Sequence, residues 1–126
     1  MRYLIFILFP LIGFGQTKKV QRDIDVKVYV EAFKGFKVGN LLSNEVSIIT
    51  PGVSWDKVKH SKKEAHKYLV NNYSDSTLIT KYIESYNKGY MIVIGQFNKF
   101  EIVRYFTLHL SYLTGKIEVI EIEKIK

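Results

Sequence analysis

Four β-rich runs joined by three short turns dominate the C-terminal half of the chain. The runs cover residues 78–86, 90–97, 100–112 and 116–125, and the turns are Asn87-Lys88-Gly89, Asn98-Lys99 and Thr114-Gly115. Only antiparallel strands can be joined by such short connections, because parallel neighbours need a long crossover. The spacing therefore predicts an antiparallel meander, whose third strand is long enough to need a bend or bulge.

A capped helix is predicted before the meander. Ser61-Lys62-Lys63-Glu64 has the spacing of a capping box, in which the first and fourth residues exchange side-chain and backbone hydrogen bonds. Apolar residues then recur on one face of a helix over 62–72. A meander with one apolar face needs a cover, so the expected class is α+β: a curved four- to five-stranded antiparallel sheet wrapped on one or two N-terminal helices.

The segment 23–36 carries two periodicities. Ile24, Val26, Val28 and Val30 alternate, whereas Ile24, Val28, Ala32 and Phe36 recur at every fourth position. Alternation predicts a strand and the fourfold spacing predicts one face of a helix, so the residues themselves leave both open. After it, the β-branched run 46–50 predicts a short strand, ended by Pro51-Gly52 and followed by a loop through Trp55.

The first residues predict an export signal. Arg2 precedes an uncharged apolar run over 3–14, and Gly13 and Gly15 stand at positions −3 and −1 before Gln16. A membrane anchor is the rival reading, but a spanning helix needs about 20 residues. We therefore expect a signal peptide over 1–15, a flexible tail over 16–22, and a single α+β domain over 23–126 that is periplasmic or secreted and does not span the membrane after cleavage.

Composition narrows the function classes. The chain has no cysteine, which rules out disulfides and cysteine-type zinc sites. The formal charge is +7, but the lysines are spread out and export removes most contact with nucleic acid, so no nucleic-acid partner is expected. His60, His66 and His109 lack metal-ligand spacing. Without a nucleophile motif or a phosphate loop, no catalytic residue, metal or cofactor is predicted.

Arg104 is the most unusual candidate for ligand binding. It shares its alternation with Phe106 and Leu108, which form the predicted core row. A buried arginine needs a partner, because an unpaired buried charge is very costly. It could hold an anion or a carboxylate in a pocket. Alternatively, a bulge could turn Arg104 to solvent, or a glutamate such as Glu84 could pair with it.

Four further side chains could contact a ligand. Tyr82 and Tyr105 lie in predicted strands, where tyrosine is also common for structural reasons. His109 belongs to a mixed polar and aromatic row that could line a cavity or face solvent. Trp55 could plug an open end of the sheet or mark a contact surface.

The order of elements resembles the nuclear transport factor 2-like superfamily, the cone-shaped fold of ketosteroid isomerase-like and polyketide cyclase-like proteins. More narrowly, it resembles a branch of small exported bacterial proteins without an assigned function. The likeness is carried by residues 29–39, Val46-Ser47-Ile48, 61–69, 90–95, 100–108 and 115–125. It implies that 23–36 is helical, although 36–46 is short for that fold. A cystatin-like arrangement, with 24–30 as an added strand, is the alternative.

The resemblance does not transfer a catalytic site. Enzymes of the superfamily use a buried aspartate with tyrosine and carboxyl donors facing the cone. Here Asp56 and Asp75 fall in predicted loops, and Glu84 and Glu101 at strand positions with charged or exposed neighbours. We therefore expect a non-catalytic exported module that binds a small molecule or an envelope protein through the concave sheet face. A small lyase, isomerase or hydrolase and an envelope protein-interaction domain are the alternatives, and the fold implies a possible homodimer through the outer sheet face.

Overall fold

The computed structural model describes residues 23–51 and 54–125, which form two α-helices and six β-strands. The expected signal peptide and the tail before Asp23 lie outside the described residues. In chain order the elements are α1 (Val26–Lys34), β1 (Leu42–Thr50), β2 (Ser54–Ser61), α2 (Lys62–Tyr73), β3 (Ile79–Tyr86), β4 (Met91–Asn98), β5 (Glu101–Leu110) and β6 (Ile117–Lys124).

The strands form one mixed sheet in the order β2-β1-β6-β5-β4-β3. β1 and β6 run parallel, and the other neighbours are antiparallel. The expected four- to five-stranded, wholly antiparallel sheet is therefore wrong in strand number and in this one pair. The predicted loop through Trp55 is also wrong, because residues 54–61 are the edge strand β2. Most β2 side chains are exposed, so no one-sided apolar pattern marked this strand.

The segment 23–36 contains a helix, as the resemblance implied, and the cystatin-like alternative is wrong. An Asp25 carboxylate oxygen accepts a hydrogen bond from the Lys27 backbone N–H at 3.2 Å and caps α1. Helical geometry places Tyr29, Val30 and Phe33 together against the sheet, where all three are buried. A strand would have put Val30 and Phe33 on opposite faces.

The second helix begins at the predicted capping box. The Glu64 backbone N–H donates to the Ser61 hydroxyl at 3.2 Å, and the Ser61 backbone N–H donates to the Glu64 carboxylate at 3.1 Å. α2 runs one residue beyond the predicted end and buries Ala65 and Leu69.

The four predicted runs of the meander are β3 to β6. Gly89 and Gly115 have φ angles of 91° and 73° in the turns, which suits glycine. The register shifts between β4 and β5 at Gln96 and Phe97, and between β5 and β6 at His109 and Leu110. These irregularities confirm the expectation that the long third run needs a bend or bulge.

The concave, helix-facing side of the sheet is called the inner face. It carries Ile94, Phe106 and Ile122, all buried. Phe33 and Phe36 pack on Phe106, with ring centroids 5.4 and 6.0 Å away. The centre of the cone is thus filled by side chains. The end of the inner face at Arg104 and Lys124, which are half-buried and exposed, is called its open end. Neither helix in the described part of the chain is long and apolar enough to cross a membrane.

Candidate functional site

Arg104 lies on the inner face, in the row predicted from its alternation. It stands opposite Gln96 of β4, next to the Ile94–Phe106 pair on the same face. Arg104 is half-buried, whereas Gln96 is only 2% exposed. The strands therefore deliver two polar side chains to the end of an otherwise apolar row.

Three residues hold one another at this position: Arg104, Gln96 and Tyr73, here called the Arg104 cluster. Arg104 Nη1 donates to Gln96 Oε1 at 2.6 Å, and Gln96 Nε2 donates to the Tyr73 backbone carbonyl at 3.1 Å. The guanidinium carbon lies 4.8 Å from the centroid of the Tyr73 ring. Each residue contacts the other two, so the guanidinium has a fixed place and orientation.

The partners of Arg104 in the cluster are neutral. Among residues 23–51 and 54–125, no carboxylate lies within ion-pair distance of Arg104. Glu84, a partner considered from the sequence, stands opposite Val93, in the alternate register that belongs to the other face of the sheet. Gln96 and Tyr73 orient the positive charge but do not neutralise it.

A second cation stands beside Arg104. Lys124 of β6 is directly opposite Arg104 in the β5–β6 register, so both side chains leave the sheet on the inner face. Asp75 is an acidic residue close enough to interact electrostatically with Arg104. Its pKa is lowered mainly by two hydrogen bonds from Thr77 and, to a smaller extent, by the charge of Arg104. The open end of the inner face is therefore electropositive around Arg104.

An aromatic row continues from the cluster towards β2. The Tyr73 and Tyr68 hydroxyls lie 3.4 Å apart, and the His60 and Tyr68 ring centroids lie 5.5 Å apart. Burial and the hydrogen bond with Tyr68 raise the pKa of Tyr73, and the charge of Arg104 offsets this only in part. Tyr73 therefore remains a neutral phenol at physiological pH, able to donate a hydrogen bond.

The five residues chosen from the sequence do not come together. Tyr82 shares the inner face with Arg104, but it lies on the edge strand β3 and is 48% exposed. Tyr105 and His109 are on the outer face, where His109 Nε2 lies 2.6 Å from a Glu121 carboxylate oxygen. Trp55 is on the opposite edge strand, β2, and is largely exposed.

Sequence reasoning missed Gln96 and Tyr73. A signal for Gln96 was present, because it continues the alternation of Ile92 and Ile94, which predicts a buried polar side chain in need of a partner. Tyr73 carried no comparable signal, since its contact with Arg104 depends on where α2 ends above the sheet.

His60 and His66 each contact a backbone carbonyl oxygen. His66 Nε2 lies 2.8 Å from the Phe36 carbonyl oxygen, and His60 Nδ1 lies 3.0 Å from that of Val58. In the described ranges, no three histidine, aspartate or glutamate side chains are grouped in a way that could hold a metal ion. Hydrogen bonds from Ser61 lower the pKa of Glu64, and hydrogen bonds from Thr77 lower the pKa of Asp75. Both exposed carboxyls therefore stay ionised to a lower pH than an ordinary carboxyl.

Comparison with known proteins gives structural relatives only. No protein-family model matches the sequence, and no curated protein matches it significantly. A DUF4783 family protein from Bacteroides fragilis has a similar structure, with a TM-score of 0.62 and 17% identity over 82% of this chain and 100% of that chain.

Two further structures are similar. An NTF2-like protein of unknown function from Mesorhizobium loti has a TM-score of 0.56 and 12% identity over 88% of this chain and 92% of that chain. A "putative ketosteroid isomerase" from Kribbella flavida has a TM-score of 0.59 and 11% identity over 88% of this chain and 78% of that chain. At such identities the likeness concerns architecture alone. The chain has the nuclear transport factor 2-like fold.

Proposed function

We propose that the protein is an exported, non-catalytic binding module whose ligand carries an anionic group that Arg104 contacts. One observation carries the proposal: a half-buried guanidinium is held in place by Gln96 and Tyr73, and both partners are neutral. Removing a charge from water is costly unless another charge compensates it. An anion at this position would supply that compensation.

The geometry of the side chain favours a carboxylate or phosphate. A guanidinium offers N–H groups in a planar fork that matches two oxygens of such a group. Gln96 accepts from Nη1, so the N–H groups of Nη2 and Nε are left for the ligand. Lys124 adds to the preference, because like charges directly opposite on neighbouring strands repel each other. An anion between them adds two attractions that outweigh this repulsion.

The filled core supports binding at the open end of the cone. Phe33 and Phe106 are fully buried at its centre, so a ligand of the Arg104 cluster would contact the inner face at its rim. The alternative of a small lyase, isomerase or hydrolase draws support from the structural likeness to the "putative ketosteroid isomerase".

The test is a titration of the processed protein with small anions followed by NMR. Succinate and inorganic phosphate are the probes, and the Gln96 side-chain amide and the Arg104 Nε–H are the reporters. We expect both signals to shift and saturate, with binding lost in Arg104→Gln and weakened in Lys124→Gln. Lys88→Gln, the same charge change on the exposed β3–β4 turn, is the control. Shifts of the Gln96 amide that persist in Arg104→Gln, or the absence of shifts at both reporters in the unmodified protein, would refute the proposal.

Export is proposed from the N-terminal sequence. The charge of Arg2, the apolar run and the small residues before Gln16 are the supporting features. Expression of the full chain in a bacterial host, fractionation and mass determination test it. We expect a product that begins at Gln16 in the periplasm or the medium, and a full-length cytoplasmic product would contradict export.

Association through the outer face is a second candidate, and an envelope protein or a second copy of the chain could be the partner. The observation that favours it is a set of half-buried apolar side chains on that face, at Val93, Tyr105 and Val119 of three neighbouring strands. Sedimentation equilibrium distinguishes the cases. A homodimer should become monomeric in Tyr105→Glu, whereas a monomer at high concentration would leave only a heterologous partner.

A further inference from the structure

A cleft separates α1 from the edge strand β3, and its Thr80 stands opposite Gln96 of the Arg104 cluster. Its volume is about 590 Å³, within the range of pockets that bind small ligands. It is lined by Val26, Lys27, Val30, Glu31, Lys34, Thr80, Lys81 and Tyr82. Because Val26, Val30 and Lys34 are four residues apart, they lie along one line of the helix surface.

The walls of the cleft are apolar. Val30 is 7% exposed and Val26 is half-buried, so they present methyl groups from the helix. Tyr82 stands across from them on β3 and keeps 48% of its surface exposed. A large aromatic side chain left half-exposed beside two valines can gain free energy if an apolar group covers it.

The rim of the cleft is basic. Lys27, Lys34 and Lys81 face a single acidic side chain, Glu31, which is paired with Lys34 at 2.9 Å. Lys81 also lies 5.6 Å from the centroid of the Phe97 ring, so its ammonium group leans towards the outer face. Lys27 is the lysine nearest in sequence to Val26 and Val30, and its charge is not used by the Glu31–Lys34 pair.

The cleft also contains one buried hydroxyl group, that of Thr80. Thr80 is 8% exposed and stands opposite Gln96 on the inner face. In the described part of the chain its hydroxyl has no hydrogen-bond partner. Buried hydroxyls normally have one.

We infer that this cleft binds a small amphiphile with an apolar chain and one anionic headgroup, such as a medium-chain carboxylate. The chain lies between Val26, Val30 and Tyr82, and the headgroup is held at the lysine rim. The excess of lysines over glutamate selects the sign of the charge, and the apolar walls select the chain. Arg104 and Gln96 do not line the cleft, so this site adjoins the anion site proposed at Arg104 but does not depend on it.

The experiment is a calorimetric titration of the processed protein with propionate, hexanoate and decanoate below their micelle concentrations. Each methylene buried in the cleft should tighten binding about two- to fourfold, so decanoate should bind at least about tenfold more tightly than hexanoate. Decanol, which lacks the charge, and decyltrimethylammonium, which reverses it, should both bind more weakly than decanoate.

Two variants with matched controls locate the binding. Tyr82→Thr should weaken decanoate binding about tenfold, because it removes the aromatic wall but keeps a β-branched strand residue. Tyr86→Thr is its control, since Tyr86 is equally exposed on the same strand but faces the outer side. Lys27→Gln should weaken decanoate binding by about two- to fivefold, with Lys88→Gln as its control.

The outcomes separate this site from the Arg104 cluster. Decanoate binding should survive in Arg104→Gln, and loss in that variant would overturn the inference by moving the ligand to the cluster. If succinate or phosphate binds at Arg104 but decanoate binds no more tightly than propionate, this site is overturned and the proposed function stands. Equal effects of Tyr82→Thr and Tyr86→Thr would also reject it. So would a Tyr82-dependent dimer without amphiphile binding, since a second copy would then occupy the cleft.

Discussion

The guanidinium of Arg104 lies over the ring of Tyr73, with its central carbon 4.8 Å from the ring centroid. This contact joins the middle of β5 to the last residue of α2. Gln96 connects the same two residues from β4, through the Arg104 side chain and the Tyr73 carbonyl. One polar cluster thus fixes the end of a helix on the sheet and presents a positive charge at the open end of the cone.

The Arg104–Tyr73 contact should be measurable as a coupling energy. In a double-mutant cycle of Arg104→Met and Tyr73→Leu, urea unfolding should give a coupling of about 0.5–2 kcal/mol, as a partly desolvated cation–π pair does. Both substitutions keep an apolar side chain at the site, so the cycle isolates the contact. Additive effects of the two substitutions would show that the contact does not stabilise the fold.

The capping box should be worth a measurable part of the stability. Ser61→Ala removes the side-chain acceptor for the Glu64 N–H and should lower the free energy of unfolding by about 1 kcal/mol. Ser61→Asp keeps an acceptor and serves as the control. A loss of the same size in both variants would place the effect in β2, which ends at Ser61, and not in the cap.

Glu64 should give the protein a pH-dependent stability. Hydrogen bonds from Ser61 lower its pKa in the folded state below the ordinary value of 4.5. The stability it contributes is therefore present above pH 4.5 and is lost as the pH falls through the lower, folded pKa. The difference in unfolding free energy between the unmodified protein and Glu64→Gln should be constant near neutral pH and shrink below pH 4.5. A difference that is independent of pH would contradict the role of the ionised carboxylate.

Gly89 should not tolerate a side chain. Its φ is +91°, and an added Cβ would lie 2.9 Å from Ile24 Cβ and 3.3 Å from the Ile24 carbonyl oxygen. Gly89→Ala should therefore cost about 1–3 kcal/mol in urea unfolding. Gly35, with φ −116°, is the matched control, because an added Cβ would make only ordinary contacts with the Lys37 side chain, at 3.7 Å or more. Gly35→Ala should change stability by less than about 1 kcal/mol. Equal effects at the two glycines would disprove the strain at Gly89.

The edge strand β2 is an element that the pattern of apolar and polar residues did not predict. Residues 54–61 form a strand, but they include two lysines and the largely exposed Trp55 and Val58. Because an edge strand covers little of the core, burial does not require its residues to alternate between apolar and polar. Its presence depends on backbone pairing with β1, which a local pattern does not record.

The sequence alone determined the local features of this protein. The capping box fixed the start of α2, and turn residues such as Gly89 and Gly115 fixed the meander, because their interactions span only a few residues. Alternation placed Arg104 on the inner face, since strand geometry assigns the face at every second position. For residues 26–34 the pattern was compatible with either a strand or a helix, and only the resemblance to a cone-shaped fold favoured the helix.

Only the tertiary structure decided what surrounds these residues. Tyr73 lies 31 positions before Arg104 in the sequence, and the parallel pairing of β1 with β6 joins two strands that lie more than 60 residues apart. The cleft beside Tyr82 likewise needs α1 to dock on a strand that follows it by more than 40 residues. Such contacts arise from packing between distant segments, and spacing along the chain does not encode packing.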